Sequence, residues 1–106
     1  MNAKPFLQLD RVIHEKGRLP IVSLLAASTQ VSFTDLRDQL SMTDGNLSVH
    51  IKILQEAGYV SITKTFQNRR SLTTCSLTAA GRKAFANYID LLEQIVRQAK
   101  DNKQEK

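Results

Sequence analysis

Two helical patterns that follow one another across a very short turn constrain this chain more than any other feature. Ser32 is a candidate N-cap for the first, with Asp35 three residues later as in a capping box, and apolar residues recur after it at helical spacing. The second begins after Thr43, another good N-cap, and Gly58 is expected to end it. The turn "SM" separates the two patterns. The sequence therefore predicts a helix-turn-helix.

The second of these helices has one apolar side and one side of small, polar residues. At about 100° of rotation per residue, Leu47, Ile51 and Leu54 share the side that we expect to be buried. The opposite side has what a helix in a DNA major groove needs, since short side chains permit close approach and polar or methyl groups meet base edges. The candidate DNA-binding residues of this helix are Thr43, Gly45, Asn46, Ser48, Val49, His50 and Lys52.

Several of these residues have a second interpretation. Gly45 either gives close access to a polyanion or packs tightly against the preceding helix or turn, and Asn46 either reads a base or caps the helix locally. Val49 either contacts a thymine methyl or is a scattered apolar residue of the surface. His50 lies at the border of the core, where a structural or phosphate-contacting role is favoured over metal binding. We predict no metal site, because the chain has no cysteine pair to complete one.

After Gly58 the pattern changes to that of a β-hairpin. The stretches YVSITKTF and SLTTCSLT are rich in β-branched and aromatic residues, with apolar pairs at period two. The loop between them, with Asn68 as a turn residue and two arginines at its tip, is expected to contact phosphate or an adjacent minor groove, unless it serves solubility alone. Cys75 is most simply a small buried residue, because nothing near it in sequence indicates a reactive thiol. The candidate DNA-binding residues of the hairpin are Lys64, Gln67, Asn68, Arg69 and Arg70.

Helix signals at both ends of the chain complete the outline. Pro5 is expected to open a helix that runs to about Glu15, and Pro20 a second, short one. Thr78 is expected to cap a long helix that is followed by a frayed polar tail, DNKQEK. The predicted order is helix, helix, helix-turn-helix, β-hairpin and long helix. That order is a winged helix-turn-helix, a mainly α fold with a β-hairpin (α+β) and a long C-terminal helix.

The segment FTDLRDQLSMTDGNLSVHIKILQEAGYVSITKTFQNRRSLTTCSLTAAGRKAF closely resembles the winged-helix transcriptional regulators of the MarR/ArsR-like superfamily. The resemblance covers roughly Pro20 to Phe85 and depends on the order and spacing of its pieces, among them "GNLSVH", "LQEAGYV" and "LTAAG". We expect one domain, with an N-terminal helix in residues 1–19, the winged-helix core in 20–78, a C-terminal dimerisation helix in 79–100 and the frayed tail in 101–106.

The terminal helices carry more apolar residues than a small core needs. In the last helix they recur at spacings of three and four, and the N-terminal segment carries a second stripe. The resemblance implies a homodimer built from terminal helices, which would bind a pseudo-palindromic DNA site. The alternative is that both helices fold back onto their own core. The candidate dimerisation residues are Phe6, Leu9, Val12, Phe85, Ile89, Leu92, Ile95 and Val96.

The charge distribution favours a polyanion as the partner. The chain of 106 residues has a formal net charge of +5, and six basic but only two acidic residues lie between Ser41 and Lys83. We predict a sequence-specific transcriptional regulator that binds double-stranded DNA. A winged helix that binds another protein is the alternative, although such an interface should show clustered aromatic residues. RNA binding is less favoured, because no strand carries the paired aromatics of a stacking sheet.

Other classes of protein are disfavoured by what the sequence lacks. There is no glycine-rich phosphate loop and no Ser/His/Asp or Cys/His arrangement, so we predict neither an enzyme nor a bound cofactor. A single cysteine, no apolar run of membrane length and no secretory signal lead us to expect a reduced cytoplasmic protein. A small-molecule effector is unknown, and analogy places any inducer in the dimer cleft.

Overall fold

The two helices beside the short turn are capped as the sequence predicts. In the computed structural model, which describes residues 2–104 and their side chains as far as residue 101, the Ser32 hydroxyl accepts a hydrogen bond from the amide of Asp35 (3.1 Å). The Thr43 hydroxyl accepts one from the amide of Asn46, also at 3.1 Å. Ser41, between the helices, has a φ of 54°, a left-handed conformation with which the chain leaves the first helix. The predicted helix-turn-helix is confirmed.

Five helices and a three-stranded antiparallel sheet make up the described part of the chain. The helices are α1 (Lys4–Leu7), α2 (Arg18–Ala26), α3 (Phe33–Gln39), α4 (Asp44–Glu56) and α5 (Ala79–Gln104). The strands are β1 (Val31–Ser32), β2 (Val60–Gln67) and β3 (Arg70–Leu77), in the spatial order β1-β3-β2. The predicted winged helix-turn-helix with a β-hairpin and a long C-terminal helix is therefore confirmed.

The core forms where α4 packs against the other elements. Its Leu47, Ile51 and Leu54 are buried, as predicted, and Leu25 of α2 and Leu36 of α3 belong to the same cluster. Because each helix buries one side, the position of that side fixes the rotation of the helix about its own axis. The hairpin completes the cluster with Val60, Cys75 and Leu77.

The hairpin is regular along its whole length. β2 and β3 pair in register over all eight residues of each strand. The two connecting residues, Asn68 and Arg69, have φ values of 51° and 63°, as a tight type I′ turn requires. β1, which pairs with β3, was not predicted, because a strand of two residues is too short to show a period-two pattern.

The N-terminal helix is shorter than predicted. α1 ends at Leu7, so the expectation of a helix to about Glu15 is wrong. The Asp10 carboxylate accepts hydrogen bonds from the amides of Val12 (2.8 Å) and Ile13 (3.3 Å). Since a side chain that bonds nearby amides competes with the helical hydrogen bonds, the chain turns here instead of continuing the helix.

α2 begins at Arg18, two residues earlier than the proline that was expected to open it. The Glu15 carboxylate accepts hydrogen bonds from the amides of Gly17 and Arg18, both at 2.7 Å. These amides stand at the start of α2 and have no partner within the helix, so Glu15 takes the place of an N-cap side chain.

α5 is joined to the hairpin at its first turn. The Thr78 hydroxyl accepts a hydrogen bond from the amide of Gly81 (3.0 Å), which confirms the predicted cap. The amide of Thr78 donates to the carbonyl of Tyr59 at 3.0 Å. The start of α5 is therefore tied to the segment between α4 and β2.

The far end of α5 extends beyond the predicted boundary. The helix continues to Gln104, so residues 101–104 of the predicted frayed tail are helical, and residues 105 and 106 lie outside the described part. No helix in residues 2–104 is both long and apolar enough to cross a membrane.

Replacing Gly81 by alanine should destabilise the protein. Gly81 is buried, and an added methyl group would overlap the backbone carbonyl of Tyr59. We expect Gly81→Ala to lower the free energy of unfolding by roughly 1–3 kcal/mol in urea titrations followed by circular dichroism. Gly45→Ala is the matched control: no other side chain lies within 4 Å of the added methyl group, so stability should rise by up to about 1 kcal/mol. Equal urea midpoints for Gly81→Ala and the parent would contradict the close packing of Gly81 against Tyr59.

The Glu15 carboxylate should make the free energy of unfolding depend on pH. Partial burial acts to raise its pKa, but hydrogen bonds from the amides of Arg18 and Gly17, with the charges of His50 and Arg18, hold the pKa below its ordinary value of 4.5. A carboxyl group whose pKa is lower in the folded state stabilises the protein above about pH 4.5, and this contribution is lost as the pH falls through the folded pKa.

Glu15→Gln is therefore expected to lower the urea midpoint at neutral pH and to reduce the further loss of stability below about pH 4.5. Glu56→Gln, at an exposed carboxylate of α4, is the control and should follow the parent across the pH range. If the urea midpoints of Glu15→Gln and the parent changed in parallel with pH, this carboxylate would not be the cap of α2.

Candidate nucleic-acid interface

One side of α4 is open to solvent along its length. Because Leu47, Ile51 and Leu54 point into the core, the residues on the opposite side point outward. Val49 among them is 57% exposed, an unusual position for a branched apolar side chain. The exposed residues of the predicted contact set are Thr43, Gly45, Asn46, Ser48, Val49 and Lys52.

The first turn of α4 has open space around Gly45. A methyl group added to Gly45 would meet no other part of the protein within 4 Å, so the alternative of tight packing against the preceding helix or turn is wrong. The capping side chain here is that of Thr43, and the exposed Asn46 contributes its backbone amide to the cap. The small residue and the amide side chain at this helix start are therefore both directed toward solvent.

His50 differs from the rest of the predicted set. Its Nδ1 lies 3.3 Å from a guanidinium nitrogen of Arg18 and 3.8 Å from the Glu15 carboxylate. The ring covers Gly17, where a Cβ atom would overlap it. These contacts fit the structural interpretation of His50, at the junction of α4 with the start of α2. Within residues 2–104, no group of three His, Cys, Asp or Glu side chains is placed to hold a metal ion.

Arg37 also belongs to this region, although no sequence pattern singles it out. From α3 its guanidinium donates to Asp38 and to Asp44, the first residue of α4, with both contacts at 2.9 Å. Hydrogen bonding to Asp44 and Asp38, together with their charges, raises the pKa of Arg37 above its usual value. The ion pair joins the two helices across the turn, and it offsets the negative charge of Asp44 beside the exposed helix start.

The hairpin, which we call the wing, carries the second group of predicted residues. Lys64, Gln67, Asn68, Arg69 and Arg70 are all exposed. The sequence contains no acidic residue from Ala57 to Ile89, so the wing has no carboxylate of its own to neutralise its cations. The guanidinium of Arg82, by contrast, lies near the carbonyls of Ala26 and Ser28 at 3.4 and 3.2 Å and serves the end of α2.

A groove of about 470 Å³ separates α4 from the wing. Ser48 and Lys52 of α4 form one wall, and Lys64 of β2 belongs to the other. The fold therefore brings the exposed residues of α4 and the base of the wing to the same side of the molecule. Cys75 also lines this groove; it is buried, as predicted, and desolvation raises the pKa of its thiol.

The apolar residues of α5 divide into two sets. Tyr88 and Leu91 are buried within this chain, whereas Val96 is 49% exposed. A shallow depression on the outer side of α5 is lined by three apolar residues, Ile89, Leu92 and Val96, and by three charged ones, Glu93, Arg97 and Lys100. Of the remaining predicted dimerisation residues, Leu9 is buried in this chain's own core, Phe6 is exposed, and Val12, Phe85 and Ile95 are half-buried.

Comparison with known proteins assigns the family. A family model described as a winged helix DNA-binding domain matches residues 18–96, which include α2 to β3 and most of α5. An uncharacterized protein of Methanocaldococcus jannaschii is 37% identical over 79 residues, which is 74% of this chain and 86% of that protein.

Solved structures have the same fold at lower identity. The transcriptional regulator homologue protein from Pyrococcus horikoshii OT3 has a TM-score of 0.83 and 23% identity, over 91% of this chain and 94% of that one. A MarR transcriptional regulator from Methanosarcina mazei Go1 has a TM-score of 0.65 and 22% identity, over 87% of this chain and 61% of that one. The resemblance seen in the sequence is thus confirmed. The chain belongs to the winged helix DNA-binding domain family, and its fold is the one found in these transcriptional regulators.

Proposed function

We propose that this protein regulates transcription by binding specific sites in double-stranded DNA, with α4 in the major groove and the wing on the adjacent backbone or minor groove. The observation that carries the proposal is the outward side of α4, which is small and polar and lies beside a wing without acidic residues. Such a regulator would act in the cytoplasm, where it has access to the chromosome.

The outward side of α4 supplies the kinds of group that read bases. The Asn46 amide and the Ser48 hydroxyl both donate and accept hydrogen bonds, and the Val49 methyl groups fit against a thymine methyl. The absence of a side chain at Gly45 lets the helix backbone approach the groove closely. Lys52, further along the same side, is suited to a phosphate contact.

The wing supplies charge more than sequence information. Arg69 and Arg70 stand at the turn, and Lys64 lies closer to α4, so the cations extend outward from the groove beside that helix. Contacts of lysine and arginine with phosphate position a protein on DNA and depend strongly on salt. An arginine that enters a narrow minor groove is further favoured by the negative potential there.

A homodimer formed through the outer side of α5 is part of the proposal. Ile89, Leu92 and Val96 present apolar surface along that side, and α1, which carries the exposed Phe6, packs against the same helix. A two-fold axis would place two copies of α4 on successive turns of the major groove. The DNA site would therefore be pseudo-palindromic.

The DNA-binding proposal is tested by Ser48→Glu. We would measure fluorescence anisotropy with the promoter fragment upstream of the protein's own gene, a duplex selected from a random pool, and an unselected duplex at several salt concentrations. A carboxylate at position 48 would face the acceptors and phosphates of the groove, so affinity for the selected duplex should fall by roughly a hundredfold or more while folding is unchanged. Gln94→Glu, the same charge change on α5, should bind like the parent. No duplex binding by the parent at low salt would overturn the proposed function.

The dimer is tested by Val96→Glu. A carboxylate at position 96 would replace apolar contact surface of α5 with a group that must lose its hydration in the interface, so the variant should sediment as a monomer at about 10 µM while the parent sediments as a dimer. Gln94→Glu lies on the other side of α5 and should sediment like the parent. A parent protein that is monomeric at this concentration would remove the dimer from the proposal.

A further inference from the structure

Phe66 is an aromatic residue that the wing leaves uncovered. Its side chain is 72% exposed, and its partner across the hairpin is the small Ser71. The ring does not belong to the apolar cluster of the core, and backbone pairing of β2 with β3 and the tight turn already align the two strands. An exposed ring adds little to folding, and it has a large apolar surface to offer a partner.

The ring lies on the side of the wing that faces α4. Side chains alternate along a strand, so Ile62, Lys64 and Phe66 of β2 share one side of the hairpin. Ile62 and Lys64 line the groove opposite Ser48 of α4. Phe66 continues that row two residues further out, toward the turn, on the side of the molecule where the outward side of α4 lies.

The surroundings of the ring select one kind of partner. Lys64 lies next to it on the same side, and the cations of Arg69 and Arg70 stand at the turn. The acid-free stretch from Ala57 to Ile89 disfavours contact with the same cationic surface of a second copy. A partner that meets both the ring and the cations must combine dense negative charge with apolar surface, and the minor groove of duplex DNA does so with its phosphates and deoxyribose walls.

We infer that Phe66 is an apolar DNA contact, whose ring packs against deoxyribose in the minor groove beside the site of α4. This inference rests on the proposed function and deepens it, because it divides the wing into two kinds of contact. Arg69 and Arg70 bind through charge, whereas Phe66 contributes by excluding water, and that contribution is nearly independent of salt.

Salt titration separates these contributions. Phe66→Thr retains strand propensity and removes the ring. With the selected duplex, we expect its affinity to be roughly five- to tenfold lower than that of the parent at every salt concentration, with an unchanged slope of log K against log salt. The double variant Arg69→Ala with Arg70→Ala should instead flatten that slope by roughly two. Phe66→Tyr keeps the ring and should retain most of the affinity.

Two further measurements make the test specific to this ring. Leu7→Ala removes a side chain that is 79% exposed on α1, and it should leave affinity unchanged. In hydroxyl-radical footprinting, Phe66→Thr should lose protection of the sugars beneath the wing. In dimethyl sulfate footprinting, it should keep the protection of guanine N7 that α4 provides. Circular dichroism and sedimentation of Phe66→Thr should match the parent.

The outcomes distinguish this inference from the proposed function. A parent that binds no duplex defeats both. A parent that binds, together with a Phe66→Thr variant of equal affinity and equal footprint, overturns the role of Phe66 and leaves the proposed function standing. A changed salt slope in Phe66→Thr, or a change confined to its sedimentation, also overturns it, because either result assigns the ring to another kind of contact.

Discussion

Burial of Leu47, Ile51 and Leu54 determines how α4 is oriented and which of its residues face solvent. These residues lie on one side of a helix, so placing them in the core leaves no freedom in what the helix presents to solvent. The exposure of residues on the opposite side, among them Gly45, Ser48 and Lys52, is then a direct consequence of core packing. The same core also fixes the position at which the hairpin extends from the helices, because Val60 and Leu77, at its base, belong to that core.

Polar contacts join the N-terminal segment to the residues after α4 and to α5, in addition to the apolar packing of the core. The Tyr59 hydroxyl donates to the Asp10 carboxylate, and this hydrogen bond, followed by desolvation and by the Asp10 charge, raises the pKa of Tyr59 to about 12. The His14 ring and the Tyr88 hydroxyl lie 2.7 Å apart, which joins the N-terminal segment to α5. Because both contacts join segments far apart in sequence, they fix α5 relative to α4, and the geometry of any dimer inherits that orientation.

The two contact groups of the proposed interface differ in physical character. α4 offers short side chains that need close approach, and the cations of the wing act over a longer range but are screened by salt. Phe66 belongs to neither kind. In the sequence, an aromatic residue in a β-rich stretch looks like ordinary strand patterning. The 72% exposure of Phe66 arises because β2 extends past the core.

The helix-turn-helix, its caps at Ser32 and Thr43, the hairpin and the buried stripe of α4 are all predictable from the residues alone, because they follow from patterns among residues close in the chain. The other features depend on contacts between distant parts of the chain. The helix predicted to reach Glu15 ends at Leu7, since Asp10 bonds nearby amides and is itself held by a residue 49 positions away. His50 belongs to the start of α2, and the open space around Gly45 became visible once all its neighbours were in place. Local patterns specify elements, whereas the surroundings of a side chain depend on residues that sequence proximity does not reveal.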